Sequence, residues 1–358
     1  MQNIGIIGLG LIGGSIAKTL KNKTNKIIAF DLNEEELRQA LTDKVIDEYT
    51  TDINEKFSNL DTIFICTPVN AVYSSVKKLA NFITPNCIIT DVGSTKHEIV
   101  NSIETDFPNI KFVGAHPMVG SEKSGYSAST DYLFENAYYI ITKTKSTNEQ
   151  DLNNIINIIE SLKAMPIVVD VEKHDFVVSV ISHIPHIVAS ALVNLVESSD
   201  DEEKTMKRLA AGGFKDITRI ASSSPIMWQS ICNQNKDEIL KALMNFKNIL
   251  NEFIQDMVEN KDSDMLNYFE NAKKYRDSFN LVPLVSNYYI SVDVKDTPGV
   301  IAGIATILSL NNINIKNIGI ENSREYIGGI LKIVFQNEKD MQKSIELLTK
   351  MEYEVFVK

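Results

Sequence analysis

The sequence is poor in cysteine, and its few cysteines are badly placed for cross-links. Three occur in 358 residues, Cys66, Cys87 and Cys232, an odd number with wide spacing. Such a pattern fits neither a disulfide framework nor a zinc site. The first residues read as a strand and lack the layout of a signal peptide. We therefore expect a reducing, cytoplasmic compartment and no bound metal.

Basic residues and long apolar runs are also scarce. Lys and Arg number 36 against 47 Asp and Glu, which gives a net charge of -11. Nucleic acid is therefore not expected as a partner, because a phosphate backbone requires a positive surface. No apolar run is expected to reach the roughly 18 residues of a membrane span, so no membrane partner is predicted. An anionic substrate would need a local cationic anchor.

Three patterns succeed one another along the chain, whose composition is that of a globular protein with 44% hydrophobic residues. Residues 1–171 alternate strand and helix, which predicts a doubly wound parallel sheet of the Rossmann type. Residues 172–283 show helical periodicity over 176–196, 202–211 and 236–258, which predicts an all-α domain. Its first helix is apolar on most faces, as expected if a second copy covers it in a homodimer. Residues 287–358 follow the order βαββαβ, the ferredoxin-like layout.

A GxGxxG motif stands between the first predicted strand and the helix predicted from Ser15. Gly8 permits the tight turn, Gly10 lets a pyrophosphate approach the backbone, and Gly13 lets strand and helix pack closely. The helix N-terminus, with Leu11 and Ile12, would bind the phosphates through free N–H groups. A glycine-rich turn without a ligand is the structural alternative.

Further site residues are predicted at the same edge of the sheet. Asp31 ends the second strand, where its carboxylate can accept ribose hydroxyls and repel a 2′-phosphate, which favours NAD over NADP. Thr67 and Pro68 follow a later strand at the cofactor crevice. His116, one of five histidines, follows a strand-like segment. An imidazole with a pKa of about 6.5 can accept a proton at neutral pH, as oxidation of an alcohol requires.

Five ordered motifs resemble the prephenate dehydrogenase family, and together they span the first two predicted domains. They are the segments 8–15, 91–96, 114–125, 182–186 and 212–219. The segment 296–299 resembles an ACT domain, a small-molecule sensor. The resemblance implies NAD-dependent oxidative decarboxylation of prephenate to 4-hydroxyphenylpyruvate and CO2 in tyrosine biosynthesis.

The resemblance also implies roles for single residues. His116 would accept the proton of the ring hydroxyl, and Ser94 would hydrogen-bond near both that histidine and the nicotinamide. Arg219 would bind a substrate carboxylate, a charge-assisted contact worth about 1.5–3 kcal/mol. His186 would face the substrate side chain, with His183 in support. The remaining cleft residues, with supporting or gating roles, would be Glu122, Lys215 and Asp216.

The chemistry is compatible with these residue types. Removing the hydroxyl proton as hydride passes to NAD leaves a dienone, from which loss of CO2 restores an aromatic ring. Aromatisation drives the step, so the protein needs to supply orientation, a base and a matching charge, without a metal.

Other interpretations remain open. An arogenate dehydrogenase would use the same residues on a substrate with an amino group. A 3-hydroxyacid or 6-phosphogluconate type dehydrogenase would need a catalytic lysine, for which Lys215 is the candidate. Arg219 could instead form a surface ion pair with Asp216. For the whole protein, the third alternative is a redox sensor without enzymatic activity.

The C-terminal turn predicts a regulatory ligand. Pro298 after Asp296 fixes the backbone and Gly299 removes a side chain, which leaves N–H groups at the helix starting with Val300 free for a carboxylate. Asn312 could contact an amino group. We expect tyrosine or another amino acid as effector, bound between paired copies; a module that only dimerises is the alternative.

Overall fold

The computed structural model describes residues 2–120, 123–279, 288–294, 297–321, 329–335 and 337–356. The chain divides into two compact units, Met1–Asn251 and Glu252–Lys358.

An eight-stranded sheet organises the first unit. Its strands are β1 (Asn3–Ile7), β2 (Lys26–Phe30), β3 (Glu48–Thr50), β4 (Thr62–Ile65), β5 (Ile88–Asp91), β6 (Lys111–Pro117), β7 (Tyr138–Thr142) and β8 (Met165–Val168). The spatial order is β3-β2-β1-β4-β5-β6-β7-β8. The first six strands are parallel. Their order is that of a dinucleotide-binding fold, in which ligands bind where the order reverses, beside β1.

Helices accompany these strands and explain their apolar composition. The helices are α1 (Leu11–Leu20), α2 (Glu34–Thr42), α3 (Val69–Leu79), α4 (His97–Asp106) and α5 (Glu149–Ser161). In β4, Ile63 and Ile65 join one apolar cluster and Phe64 joins another. Both faces of a strand are therefore buried, which is why these strands read as continuous apolar runs.

The prediction of a wholly parallel sheet is wrong for the last two strands. β7 runs antiparallel to β6, and β8 pairs parallel with β7. A parallel pairing needs a crossover, usually a helix. The part of residues 118–137 that the structure describes contains only a 3-10 turn, at Tyr126–Ala128. This connection lies against α1, where a Cβ added to Gly14 would come within 2.7 Å of the Ser129 Oγ.

One continuous helical run extends from Val171 to Ser199. It consists of α6 (Val171–Val178), a π-helical turn (Ser179–His183) and α7 (Ile184–Ser199). Pro185 cannot donate a hydrogen bond to the preceding turn, which accounts for the wider turn before it. In the first turn of α7, the Nδ1 of His186 lies 3.0 Å from the carbonyl oxygen of Ser182.

This run corrects the expectation about apolar length. By length and composition it could cross a membrane, with a mean hydropathy of 1.9 over its most apolar window. Helix cores of soluble proteins pass the same test. The run also carries three buried polar side chains, His174, Asp175 and His183, each of which contacts other residues of the first unit. These contacts tie the run to the first unit, although only 28% of its most apolar window is buried.

In the part of the chain that the structure describes, five helices follow this run before the next strand: α8 (Thr205–Leu209), α9 (Gly212–Thr218), α10 (Pro225–Gln234), α11 (Lys236–Val258) and α12 (Asp262–Ser278). The predicted helix over 202–211 is thus shorter, because Ala210 and Ala211 leave the helical conformation before α9. The predicted bounds of α11 are confirmed.

The second unit contains a four-stranded antiparallel sheet in the order β10-β11-β9-β12. Its elements are β9 (Tyr288–Val294), α13 (Val300–Leu310), β10 (Ile315–Glu321), β11 (Gly329–Phe335), α14 (Glu338–Lys350) and β12 (Val355–Phe356). Both helices contribute to one apolar cluster with the sheet, including Ile304, Leu348 and Ile333. The predicted βαββαβ order is confirmed.

Candidate functional site

The glycine-rich turn after β1 has no room for side chains at two of its glycines. Gly8 has a φ of +96°, in the left-handed region, and a Cβ there would lie 2.7 Å from the carbonyl oxygen of Cys66. A Cβ on Gly13 would collide with the carbonyl oxygen of Gly8. At Gly10, by contrast, a Cβ would meet no atom of the described structure within 4 Å. Gly10 therefore borders open space in which a ligand could approach the backbone.

The helix after this turn begins earlier than predicted, at Leu11 rather than Ser15. Gly10 is its N-cap, and the described residues provide neither a side-chain cap nor an acid in its first turn. The N–H groups at Leu11 and Ile12 are therefore suited to an anionic ligand, which the helix dipole also favours. Ser15 is fully buried inside the helix and accepts a hydrogen bond from the N–H of Thr130 at 3.0 Å.

Asp31 and Thr67 lie beside the turn. The Asp31 Oδ2 accepts the N–H of Leu9 at 2.6 Å, so the carboxylate is held next to the glycine-rich segment. The Thr67 hydroxyl is buried and has no hydrogen-bond partner in the part of the chain that the structure describes. Pro68 caps α3. An open approach at Gly10, an acid at Asp31 and an unpartnered hydroxyl together fit a bound dinucleotide.

A buried ion pair shapes the loop that carries Ser94. The Lys96 Nζ lies 2.6 Å from the Asp91 Oδ2, and both side chains are fully buried. The ammonium also donates to the carbonyl oxygens of Gly93, at 2.7 Å, and Thr95, at 3.0 Å. The Asp91 Oδ1 accepts the N–H of Ala115 at 3.1 Å, next to His116 on β6. The loop of Ser94 is thereby tied to the strand of His116.

His116 is buried and contacts a second histidine. Its Nδ1 lies 3.0 Å from the His174 Nε2, and the His174 Nδ1 lies 2.6 Å from the Asp175 Oδ1. The Asp175 carboxylate also accepts the N–H groups of Lys96, at 2.8 Å, and His97, at 2.9 Å. We call His116, His174 and Asp175 the histidine cluster. It joins α6 to the edge of the sheet.

Sequence reasoning missed His174, Asp175 and the buried role of Lys96. A weak signal was present, since the adjacent His174 and Asp175 stand near the start of a helix that is otherwise strongly apolar. Such a polar pair is costly to bury unless its groups are hydrogen-bonded.

Burial changes the protonation of these histidines. It lowers the pKa of His116 well below its usual value, and the neighbouring His174, Lys96 and His183 lower it further. The expected pKa of about 6.5 is therefore wrong for this position. Burial likewise lowers the pKa of His174, and it lowers the pKa of His183 to about 4. These imidazoles are neutral at pH 7.

The helical part contributes an aromatic platform that the sequence did not predict. The ring of His186 stacks on Trp228 with 3.8 Å between centroids. His183 approaches the same indole edge-on, and its Nδ1 lies 3.1 Å from the Asn235 Nδ2. Burial lowers the pKa of His186, and its hydrogen bond with the Ser182 backbone acts in the opposite direction. The charge of Arg219 also lowers this pKa. Arg219 and His186 thus lie in one neighbourhood.

The other predicted cleft residues are less closely connected. Lys215 and Asp216 are exposed on α9, and Glu122 lies outside the described residues. The lysine whose charge acts on His116 is Lys96 rather than Lys215.

The predicted effector residues fall at opposite ends of one helix. Pro298 and Gly299 precede Val300 at the start of α13, and Gly299 has a φ of +92°. Asn312 follows the other end, about 16 Å away for an 11-residue helix. There it lines a cleft of about 750 Å³ with Asn311, Asn337 and Lys343. One copy therefore does not bring Asn312 to Gly299, and Asp296 lies outside the described residues.

A dinucleotide-binding turn and a buried histidine at the edge of one sheet define an NAD-dependent dehydrogenase with a second, helical domain. Comparison with family models agrees with this class. Residues 16–168 match the nucleotide-binding domain of prephenate dehydrogenase, residues 170–271 match its dimerization domain, and residues 288–352 match the ACT domain. The chain belongs to the prephenate dehydrogenase family.

Individual relatives agree. A prephenate dehydrogenase of Bacillus subtilis is 41% identical, covering 98% of this chain and 97% of the relative. A prephenate dehydrogenase of Lactococcus lactis is 35% identical, with 98% of each chain covered. The crystal structure of prephenate dehydrogenase from A. aeolicus with hydroxyphenyl propionate and NAD+ is 36% identical, with a TM-score of 0.73 over 78% of this chain and 98% of that one. A Synechocystis arogenate dehydrogenase is 27% identical, with a TM-score of 0.70 over 77% and 99%.

Proposed function

We propose that this protein catalyses the NAD-dependent oxidative decarboxylation of prephenate to 4-hydroxyphenylpyruvate. The observation that carries the proposal is the buried, neutral His116 at the carboxyl edge of the sheet, beside the loop of Ser94. Relatives named prephenate dehydrogenase and a similar structure with NAD+ and a hydroxyphenyl acid support it.

The proposed roles divide the work among a few side chains. Bound NAD supplies the hydride acceptor. His116 accepts the proton of the ring hydroxyl, and Ser94 orients that hydroxyl. Arg219 binds a substrate carboxylate with its planar fork, and His186 on Trp228 bounds the side-chain end. Lys215, Asp216 and Glu122 would have the supporting or gating roles that the family resemblance implies. On loss of CO2 the electron pair of the broken C–C bond passes through the ring to the carbonyl oxygen, which takes back the proton from His116, so no further acid is needed.

The cofactor would be held at the glycine-rich edge. Gly8 and Gly13 keep the turn tight, and the open approach at Gly10 admits the pyrophosphate to the N–H groups of Leu11 and Ile12. Asp31 would accept the ribose hydroxyls and would repel a 2′-phosphate, so NAD is the expected dinucleotide. Thr67 and Pro68 would border the cofactor beyond β4.

The chain would work as a cytoplasmic homodimer. We divide it into a dinucleotide-binding domain of residues 1–171, a helical domain of residues 172–283 and an ACT-like domain of residues 287–358. The match to a dimerization domain supports the pairing. So do large apolar side chains exposed on α11, such as Met244 and Ile254. Three free cysteines are consistent with a reducing compartment.

The ACT domain would bind an amino-acid effector, with tyrosine as the first candidate. The N–H groups in the first turn of α13, beyond that of Val300, would bind its carboxylate after the left-handed Gly299. Because Asn312 lies at the far end of α13, it could complete such a site only from a paired copy. Calorimetry with tyrosine, phenylalanine and tryptophan tests this role, and binding by none of the three would leave dimerisation alone.

The function is tested by following NADH formation with prephenate and with arogenate in parallel. We expect turnover with prephenate and NAD, and little with NADP. Faster turnover of arogenate would assign the enzyme to the other substrate, and no turnover with either would overturn the proposal.

A further inference from the structure

We infer that His174 and Asp175 are positioning residues that fix the tautomer of His116, so that its Nε2 is the nitrogen left to accept a proton. The inference rests on the proposed function of His116. It follows from the direction of the hydrogen bonds through the histidine cluster, step by step from the carboxylate.

The first step starts at Asp175. An ionised carboxylate can only accept hydrogen bonds. The Asp175 carboxylate accepts two backbone N–H groups, those of Lys96 and His97, at 2.8 and 2.9 Å. Burial acts to raise its pKa, but the hydrogen bonds from His174 and from these N–H groups lower it overall. Its 2.6 Å contact with the His174 Nδ1 therefore requires the proton to be on Nδ1.

The second step concerns His174. Burial lowers its pKa, so the ring carries one proton at neutral pH. With that proton on Nδ1, its Nε2 is an acceptor. The His116 Nδ1 lies 3.0 Å from this Nε2 and must be the donor.

The third step reaches His116. Its own pKa is lowered by burial, so it also carries one proton, and that proton is on Nδ1. The Nε2 then bears the free lone pair. When it takes the hydroxyl proton of the substrate, the imidazolium keeps its hydrogen bond to His174, and the charge of Asp175 lies behind it. No other proton has to move.

The same carboxylate also positions the loop of Ser94. The Asp175 carboxylate accepts the N–H of Lys96, the last residue of this loop. The buried ammonium of the same lysine donates to the carbonyl oxygen of Gly93 within the loop. Asn235 holds Asp175 from the other side by donating to its carbonyl oxygen at 2.9 Å. Base and loop therefore share one anchor on α6. The other titratable groups that act on His116 are Lys96, paired with Asp91, and His183, which contacts Asn235.

The tautomers can be measured directly by long-range 1H–15N NMR on the full-length, 15N-histidine-labelled protein at neutral pH. The chain has five histidines, and the variants His116→Asn and His174→Phe assign the two of interest. We expect both rings to be protonated at Nδ1 and bare at Nε2. A His116 ring protonated at Nε2 would overturn the inference, whether or not the enzyme turns over prephenate.

Kinetics supply the second readout. His174→Phe keeps an aromatic ring but removes the nitrogen that accepts the hydrogen bond from His116. We therefore expect kcat to fall at least about 10-fold. The loss should not exceed the roughly 10⁴-fold that a wrong histidine tautomer causes in a catalytic triad. The KM values should change little. His174→Gln, whose amide oxygen can accept from the His116 Nδ1, should restore part of the rate. His97→Phe is the matched control, because its side chain is exposed and only its backbone contacts Asp175.

The two proposals fail in different ways. Full turnover by His116→Asn would remove His116 as the base while leaving the measured tautomers unaffected. Full turnover by His174→Phe, with His116→Asn inactive, would contradict the positioning role alone.

Discussion

The glycine-rich turn and the histidine cluster lie at the same edge of one sheet, but they are built from different groups. In the turn, backbone atoms carry the site, and added side-chain atoms would collide with the carbonyl oxygens of Cys66 and Gly8. In the cluster, three buried side chains bond to one another in a row. The turn therefore depends on glycines that carry no side chain, and the histidine cluster depends on which ring nitrogens carry protons.

The largest effect is expected when the proposed base of the histidine cluster is removed. His116→Asn should lower turnover by roughly 10²–10⁴, the usual contribution of a positioned base, with smaller effects on KM. The glycine-rich turn is untouched, so the affinity for NAD should be retained. Steady-state NADH formation and NAD titration measure the two effects, and near-normal turnover would exclude the role.

Removal of Arg219, the proposed binding group for a substrate carboxylate, should have the next largest effect. Arg219→Ala loses a charge-assisted contact worth about 1.5–3 kcal/mol, which corresponds to roughly 10- to 150-fold in kcat/KM for prephenate. Arg219→Lys should recover only part of it, because lysine lacks the planar fork. An unchanged KM for prephenate in the alanine variant would place Arg219 outside the substrate site.

Two glycines of the turn give a matched pair. Gly13→Ala forces a Cβ against the carbonyl oxygen of Gly8 and should lower the free energy of unfolding by about 1–3 kcal/mol, as overpacking does. Gly10→Ala meets no atom of the described structure and should weaken NAD binding with little change in stability. Thermal unfolding and NAD titration separate the effects. Equal loss of stability in both would contradict the assignment of Gly10 to the ligand.

The smallest effect is expected from pH. The pKa values of His116, His174 and His183 are lowered on folding, that of His183 to about 4. The unfolded chain therefore binds more protons, and stability present above pH about 6.5 should be lost as pH falls towards each folded pKa, by at most about 1.4 kcal/mol per pH unit and histidine. His174→Phe should reduce this slope in denaturant titrations. Stability independent of pH between 7 and 5 would refute it.

The same contrast explains what the sequence could predict. The turn and Asp31 lie within one strand–helix–strand unit, so a local motif with known geometry located them. The bounds of α13 were predicted because Gly299 and Asn311 flank a largely apolar helix. The antiparallel β7 was missed, since strand direction depends on the connection before it rather than on the strand itself.

The histidine cluster was beyond such reasoning. His116 and His174 are separated by 58 positions, and Lys96 and Asp175 by 79. Only the packing of α6 against the sheet edge brings them together. Trp228 was missed for the same reason, because its contact with His186 depends on how α10 lies against α7.

The most direct test of the whole account is the stoichiometry of the reaction. Prephenate labelled in its ring carboxylate is incubated with the full-length enzyme and NAD, and labelled CO2 and NADH are counted in the same sample. The account predicts one CO2 for each NADH, with both rates reduced equally in His116→Asn. NADH formed without labelled CO2, or CO2 released without NADH, would contradict it.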